Sequence, residues 1–250
     1  MNQRFEEILR TELCIIIPAR NEEQSLVRLL PEIIKKVTSN LIVVDNGSSD
    51  ATSEVATKLG ARVIRENRIG YGFACLAAIS YIASLTNPPS YICFFDGDEQ
   101  SDVNDIIRVA KPVLLSNQGK IYCQGSRMIL DSSRKALSPM AQVANSFFSR
   151  LLSIIWGQKV TDLGPLRVIT WSTLKSLEMR SSGYGWTMEM SSKLLIAKIQ
   201  HNEIPVNYNK RKKGISKISG NITTAVRAAF IMTITFLCTS FFWRPSSELL

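Results

Sequence analysis

The chain has 250 residues, 45% of them hydrophobic and 20% charged, which argues against a disordered protein and fits one large α/β domain or two small ones with a well-filled core. The formal net charge of +9 favours a polyanionic partner: nucleic acid, nucleotide phosphates or an anionic membrane surface. The single histidine, His201, excludes a zinc site built from several histidines, and five cysteines without CxxC spacing favour a reduced protein that faces the cytoplasm.

Strand-like and helix-like segments alternate along the first half of the chain. The predicted strands and the helices that follow them are, in order, 13–18 then 25–37, 41–45 then 51–59, 61–65 then 73–85, 91–96 then 102–116, and a fifth strand at 121–124. The later, less regular part has predicted helices at 140–156, 186–199 and 221–243 and strands at 166–170 and 204–207. This order predicts an α/β fold with a mainly parallel central sheet, helices on both faces and a C-terminal apolar helix.

Polar segments directly follow three of the predicted strands, at residues 18–22, 45–50 and 96–98. In a parallel sheet the carboxyl ends of the strands share one edge, and ligands bind in the crevice beyond it. We therefore expect the three segments to meet along one rim. Asp45 ends the second strand, where a carboxylate can accept hydrogen bonds from a nucleobase N–H or from ribose hydroxyls.

The acidic segment after the fourth strand gives the strongest local signal for chemistry. Asp96 and Asp98 are separated by Gly97, which lets the backbone turn, and Gln100 adds an amide oxygen. Hard oxygen ligands of this kind bind Mg²⁺ or Mn²⁺, usually with substrate phosphates completing the coordination shell. The alternative is a solvated turn, since Asp and Gly are ordinary turn residues.

Two further features are each open to more than one interpretation. Glu189 lies between two methionines near a predicted helix start, where it is a candidate general base, a ligand-orienting acid, a partner for an arginine or a structural acid. Residues 210–217 form the densest basic stretch, which is a phosphate-binding segment or a solvated loop.

Five segments in register resemble the family 2 glycosyltransferases with the GT-A fold. These segments, which span most of the region from about residue 12 to 220, are 17–22, 44–50, 96–100, 125–127 and 211–217. The similarity is closest to the branch of dolichyl-phosphate mannose synthase and polyprenyl-phosphate glycosyltransferases. It implies one GT-A domain over residues 1–220, with a nucleotide-binding half at about 12–125 and an acceptor half at about 126–220.

The resemblance also implies a role for each matching residue. The residues expected to hold the nucleotide are Pro18, Ala19, Glu22 and Asp45. Those expected to hold the metal and the donor diphosphate are Asp96, Asp98 and Gln100. Those expected to handle donor and acceptor phosphates are Arg127, Arg167, Arg211 and Lys217. Glu189 falls where relatives carry an acceptor-side acid, so the expected catalytic residues are Asp98, Glu189, Arg127 and Arg167.

The implied reaction is an inverting transfer of a hexose from a nucleotide sugar, with GDP-mannose and UDP-glucose both open. A polyprenyl phosphate acceptor is already ionised at pH 7, so it needs cations more than a base, and the basic residues favour it. A sugar hydroxyl acceptor with Glu189 as base is the first alternative. A nucleic-acid-binding module is disfavoured because aromatic residues do not interleave with the basic stretch. A nucleotidyltransferase is disfavoured because residues 18–22 lack glycine.

The last part of the chain predicts membrane association. Residues 228–243 are apolar and flanked by Arg227 and Arg244. Extending the segment back to residue 222 reaches the length of about 20 residues that spans a bilayer, but includes Arg227 and several threonines. Spanning the membrane and lying in its interface are both open, and helix 140–156 could add to the same surface. Acids near the N-terminus argue against a signal peptide. We expect residues 221–250 to attach the protein peripherally to the cytoplasmic face of a membrane.

Overall fold

The structure is a computed structural model that describes residues 3–116, 119–210, 222–247 and 249. Seven strands in these residues form one sheet: β1 (Leu13–Ala19), β2 (Leu41–Asp45), β3 (Arg62–Arg65), β4 (Tyr91–Phe94), β5 (Ile121–Ser126), β6 (Arg167–Thr170) and β7 (Gln200–Pro205). The helices are α1 (Gln3–Thr11), α2 (Glu23–Lys36), α3 (Thr52–Lys58), α4 (Tyr71–Ala83), α5 (Val103–Leu114), α6 (Asp131–Ala136), α7 (Pro139–Trp156), α8 (Trp171–Ser176), α9 (Trp186–Ile196) and α10 (Ile222–Phe242).

The strand order is β3-β2-β1-β4-β6-β5-β7. Strand β6 runs antiparallel to both of its neighbours, and the other described pairs are parallel. The predicted mainly parallel sheet is therefore confirmed. Because β2, β1 and β4 are adjacent and parallel, their carboxyl ends lie at the same edge.

Both faces of the sheet are covered, and β1 shows why. Its apolar side chains alternate between the two faces, as the strand geometry requires. Ile15 and Ile17 belong to the core beneath α2 and α5, whereas Ile16 belongs to the opposite core, which α4 and α9 cover. The continuous apolar run of β1 thus fills two cores, as is typical of a parallel sheet buried on both sides.

A third, smaller core joins α7, α9 and α10. Phe148 and Leu152 of α7 pack there with Met188 of α9 and Phe236 of α10. Among the described residues, one helix is long and apolar enough to cross a membrane: residues 223–242, with a mean hydropathy of 1.7 and 17% of the segment buried. The predicted C-terminal apolar helix is confirmed, and it lies along α9.

Most predicted element boundaries differ from the structure by one to four residues, and the sequence pattern does not predict helices α1, α6 and α8. Two of the boundary differences have identifiable reasons. Strand β7 begins at Gln200, not at residue 204, because the polar side chains of His201 and Glu203 face the interior and hide the strand pattern. Helix α9 ends at Ile196, not at 199, because Lys198 adopts a left-handed conformation with φ of 53°.

Candidate active site

The three polar segments meet at one edge of the sheet. The backbone N–H of Asn46 donates to the carbonyl oxygen of Ala19 at 2.8 Å, and that of Asn21 donates to Ser48 Oγ at 2.9 Å, which joins the loops after β1 and β2. The loop after β4 begins with Phe95, whose N–H donates to Ile16 of β1 at 3.0 Å. The structure therefore forms the rim that the sequence predicts.

Asp45 is held firmly at the end of β2. Its Oδ1 accepts a hydrogen bond from the backbone N–H of Ser48 at 2.9 Å, and its Oδ2 accepts one from Ser53 Oγ. Burial alone raises the pKa of Asp45, but the hydrogen bonds from Ser48 and Ser53 and the charge of Arg65 outweigh it, so the pKa lies below its usual value. The carboxylate is therefore ionised and fixed in orientation at neutral pH.

The other residues expected at the nucleotide lie beside Asp45. Pro18 and Ala19 are the last residues of β1 and pair with Val44 and Asp45 of β2. Glu22 lies just before α2 and is 7% exposed, with its Oε2 accepting from Ser25 Oγ at 3.2 Å. The structure thus brings the predicted nucleotide residues together.

The acid loop, residues 96–100, begins two residues after the end of β4. Asp98 Oδ1 accepts a hydrogen bond from the N–H of Gln100 at 3.2 Å. Gln100 is bonded twice to Asn209, through its Nε2 to the Asn209 carbonyl at 3.0 Å and through its own carbonyl to the Asn209 N–H at 2.8 Å. Burial raises the pKa of the neighbouring Tyr208 to about 12; Arg127 opposes this rise, and Asp98 and Asp96 add to it.

The donor set of the acid loop fits a divalent cation that also binds substrate. Asp96, Asp98 and Gln100 offer carboxylate and amide oxygens, which Mg²⁺ and Mn²⁺ prefer. No group of three or more His, Cys, Asp and Glu side chains that could hold a metal occurs among the described residues. The loop therefore offers part of a coordination shell, and diphosphate oxygens suit the remainder.

Arg127 follows β5 and is fixed by Asp162. Its Nε and Nη2 donate to the two carboxylate oxygens at 2.8 and 2.9 Å, and its backbone N–H donates to Oδ2 at 2.8 Å. The guanidinium also lies over the ring of Tyr208, 5.1 Å from the centroid. The sequence predicted a role for Arg127 but not for Asp162. The available signal was that Asp162 precedes the apolar segment 163–166, where a charged side chain needs a partner.

A buried polar network supports Asp162 from below. Glu203 of β7 accepts hydrogen bonds from the N–H of Thr161 at 2.9 and 3.0 Å and from its hydroxyl at 2.6 Å. Gln124 Nε2 donates to both Glu203 Oε1 and the carbonyl of Asp162, each at 2.6 Å. Sequence reasoning missed Gln124 and Glu203, because polar residues in a strand read as exposed.

Arg167 lies inside the protein, not in the rim loops. It is 1% exposed and donates from Nε to the carbonyl of Gly164 at 2.7 Å and from Nη1 to Thr187 and Ser191 of α9. Its Nη2 has no hydrogen-bond partner among the described residues. The expected contact of Arg167 with a phosphate stays a prediction, and the observed contacts tie β6 to α9.

Glu189 is engaged by protein groups. Its carboxylate accepts from the backbone N–H groups of Arg180 and Ser181, at 2.7 to 3.1 Å, and pairs with Lys193 at 2.7 Å. Lys193 also donates to the carbonyls of Leu177 and Glu178 at 2.8 Å each, and burial lowers its pKa despite Glu189. Glu189 therefore anchors the loop before α9. The remaining expected residues, Arg211 and Lys217, lie outside the described residues.

Comparison with known proteins decides the family. Residues 14–160 match the family model described as Glycosyl transferase family 2. The chain belongs to this family. An uncharacterised protein of Methanocaldococcus jannaschii is 30% identical over 238 residues, covering 92% of this chain and 94% of that protein. A Haloferax volcanii protein named dolichyl-phosphate hexose transferase is 28% identical, covering 80% of this chain and 84% of its own.

A solved structure of similar fold is that of glucosyl-3-phosphoglycerate synthase from Mycobacterium tuberculosis in complex with Mn²⁺, UDP-glucose and phosphoglyceric acid. It has a TM-score of 0.71 at 18% identity and covers 99% of this chain and 86% of that chain. The GT-A fold of this family 2 glycosyltransferase is thereby confirmed. The rim of the present protein carries Asp45 at the end of β2, the acid loop after β4 and Arg127 after β5.

Proposed function

We propose that this glycosyltransferase is an inverting, metal-dependent enzyme that transfers a hexose from a nucleotide sugar to a polyprenyl phosphate. The observation that carries the proposal is the attachment of segment 207–210 to the acid loop. Besides the two bonds between Gln100 and Asn209, Ser101 and Tyr208 form a β-bridge. The basic stretch that begins at Lys210 therefore starts beside the proposed metal and diphosphate site.

On the donor side, Pro18, Ala19, Glu22 and Asp45 hold the nucleoside, and Asp96, Asp98 and Gln100 hold the metal. When bound, Mg²⁺ or Mn²⁺ supplies positive charge that stabilises the leaving diphosphate. The Mn²⁺ and UDP-glucose in the mycobacterial neighbour support this assignment. The nucleotide remains GDP or UDP, with mannose or glucose as the sugar.

On the acceptor side, an oxygen of the lipid phosphate attacks the anomeric carbon as the bond to the nucleoside diphosphate breaks. One in-line displacement inverts the anomeric centre. The phosphate is already ionised, so no proton has to be removed, but two anions have to approach each other. Arg127, held by Asp162 beside the acid loop, and Arg211 and Lys217 of the basic stretch supply the positive charge; Arg167 adds its charge from below.

The name of the Haloferax relative supports a lipid phosphate acceptor. Two apolar helix faces add physical support. Helix α7 exposes Val143, Phe147 and Ile154, and α10 exposes Phe230 and Phe241, each by at least 60%. Exposed apolar residues repeated at helical spacing on two adjacent helices are typical of a surface that enters a membrane interface.

The packing of α10 favours an orientation in the membrane plane over a spanning one. Ala228, Phe236 and Thr239 are buried on the side that faces the domain, and Trp243 lies 5.4 Å from Lys193 Nζ of α9. The packed length from residue 228 to 239 is about 16 Å. Because α10 is packed against the domain over that length, the helix and the domain lie on the same side of the bilayer. We take this to be the cytoplasmic side. Residues 221–250 then act as the membrane-associating segment.

A hydroxyl acceptor with Glu189 as base has less support. The Glu189 carboxylate already accepts two backbone N–H groups and the Lys193 ammonium. A general base must reach the proton that it removes, and this carboxylate is committed to holding a loop. The acidic side chain at this position is better explained by that role.

The test is a transfer assay with the full chain. Vesicles of phosphatidylcholine and phosphatidylglycerol carrying polyprenyl phosphate are mixed with radiolabelled GDP-mannose or UDP-glucose, with Mn²⁺ or with EDTA. We expect label in the lipid fraction with one donor, and none in EDTA or with Asp98→Asn. Label only on a soluble sugar acceptor, lost in Glu189→Gln, would establish the hydroxyl alternative. Retention of DNA without sugar transfer would favour a nucleic-acid-binding role.

A further inference from the structure

The residue between two of the proposed metal ligands has an unusual backbone conformation. Glu99, which lies between Asp98 and Gln100, has a φ of +58°. This left-handed region disfavours residues with a Cβ atom and is uncommon outside glycine and asparagine. A glutamate held there needs compensating contacts, and such conformations cluster at functional sites.

The compensating contact comes from a distant helix. Arg28 of α2 donates from Nε to Glu99 Oε1 at 2.7 Å and from Nη2 to Oε2, a bidentate pair that joins residues 71 positions apart. The Glu99 side chain is 16% exposed and that of Arg28 is 48% exposed. The planar guanidinium matches both carboxylate oxygens, so it fixes the orientation of the Glu99 side chain as well as its position.

The acid loop is thus held from two sides. Arg28 holds it at Glu99, and Asn209 holds it at Gln100. A third constraint lies below it, because a Cβ atom on Gly97 would come within 3.1 Å of Ile17 in β1. The φ angle of Glu99 sets how the Asp98 and Gln100 side chains are directed relative to each other.

We propose that Arg28 and Glu99 are positioning residues that hold the acid loop in its metal-binding conformation. This inference rests on the proposed metal-dependent function. Partly exposed ion pairs contribute little to folding stability. The role of the Arg28–Glu99 pair is instead to raise the affinity of the site for the metal. Neither side chain is itself a ligand.

The test is Mn²⁺ binding, measured by electron paramagnetic resonance of free Mn²⁺ with the full chain and saturating UDP, and in parallel with GDP. We expect Arg28→Ala and Glu99→Ala to raise the Mn²⁺ dissociation constant about tenfold, equivalent to about 1.4 kcal/mol. We expect Glu99→Gly to stay within about threefold of the unsubstituted protein, because glycine adopts this φ without a steric cost.

The variants separate positioning from charge. Glu99→Ala and Glu99→Gly remove the same carboxylate and differ by one methyl group, so equal weakening of Mn²⁺ binding by both would overturn the proposal. Tighter binding in Arg28→Ala would identify Glu99 as a ligand and also overturn it. Lys36→Ala, which removes a partly exposed ion pair with Glu32 on the same helix, is the control and leaves binding unchanged.

Two results distinguish this inference from the proposed function. If the unsubstituted protein binds Mn²⁺ with either nucleotide but Arg28→Ala binds it equally well, only the positioning role is wrong. If the unsubstituted protein binds Mn²⁺ with neither nucleotide, both the metal-dependent function and the positioning role are wrong. Melting temperatures without metal, expected to be similar for Arg28→Ala and Lys36→Ala, check that the fold is retained.

Discussion

Arg127 and Asp162, which lie 35 residues apart in the chain, form a bidentate ion pair in which the Asp162 side chain is fully buried. Burial on its own raises the pKa of Asp162, but the charge and hydrogen bonds of Arg127 outweigh it and the pKa lies below its usual value. The pair fixes the Arg127 guanidinium at the carboxyl edge of the sheet, with its charge balanced by Asp162. It also joins β5 to the segment before β6.

Replacing Asp162 with Asn should destabilise the protein and reduce transfer. The substitution removes the counter-charge of a guanidinium whose side chain is only 15% exposed; breaking a fully buried pair typically costs about 3–5 kcal/mol, and we expect a loss toward the lower end of that range. Urea unfolding measures the stability and the vesicle assay measures the transfer. Asp131→Asn, which removes an exposed carboxylate paired with Arg134, is the control and should change the unfolding free energy by less than about 1 kcal/mol. Equal effects of the two substitutions would show that the buried pair is unimportant.

Adding one methyl group to Gly72 should disturb the contact between α4 and the loop before α9. A Cβ atom there would lie 2.1 Å from the backbone oxygen of Ser181, so the loop has to move. We expect Gly72→Ala to lower the unfolding free energy by about 1–3 kcal/mol in urea titrations.

Gly183 is the matched control, because it lies in the same loop and a Cβ atom would meet nothing within 4 Å. Gly183→Ala should change the unfolding free energy by less than about 0.5 kcal/mol. Similar losses in both alanine variants would mean that the loop tolerates displacement and that the close approach is unimportant.

Stability should fall as the pH is lowered from about 6.5 to 4, partly because of His201. Burial lowers the pKa of His201 to about 4, whereas Glu203 acts to raise it and Arg167 lowers it further. The unfolded chain, with a histidine pKa near 6.5, binds a proton in this window that the folded protein does not, so folding is progressively disfavoured. The contribution of His201 to the free energy of unfolding is fully present above pH 6.5, amounts to about 3 kcal/mol and is lost as the pH falls toward 4.

His201→Phe should reduce that dependence. The imidazole packs against Tyr122 with ring centroids 5.2 Å apart, and its Nε2 has no hydrogen-bond partner within the described part of the chain, so an aromatic hydrocarbon can replace it. Urea unfolding at pH 7 and at pH 4.5 gives the change in unfolding free energy between the two pH values, for the unsubstituted protein and for His201→Phe. An unchanged difference in His201→Phe would assign the acid sensitivity to the carboxylates instead.

Polar substitution of the exposed apolar faces should weaken membrane binding. Phe147 of α7 and Phe230 of α10 are 60% and 64% exposed, and burying a phenylalanine in the apolar phase of a membrane contributes about 1.5–3 kcal/mol. Phe147→Ser and Phe230→Ser should each reduce co-sedimentation with anionic vesicles about tenfold or more. Val27→Ser, at a 52% exposed site on α2, should bind as the unsubstituted protein does. Equal binding of vesicles by all three variants would show that the exposed faces of α7 and α10 are not the membrane-binding surface.

Local pattern was sufficient for most elements of the sheet. The bounds of β2 agree with the prediction at both ends, because an uncharged β-branched run that stops at Asp45 allows few alternatives. The same pattern placed Asp45 and the acid loop at strand ends. It failed at β7, where His201 faces inward against Tyr122 and Glu203 belongs to a buried polar network.

By itself the sequence determined the α/β class, the rim at the carboxyl ends of β1, β2 and β4, and the family, since each of these is recorded in short local patterns repeated along the chain. Only the tertiary structure decided which side chains hold which. Arg28 meets Glu99, Arg127 meets Asp162, and Glu189 meets the backbone of a loop instead of an open site. The reason is that ion pairs between distant residues arise from packing, and no local periodicity records the partner of a buried charge.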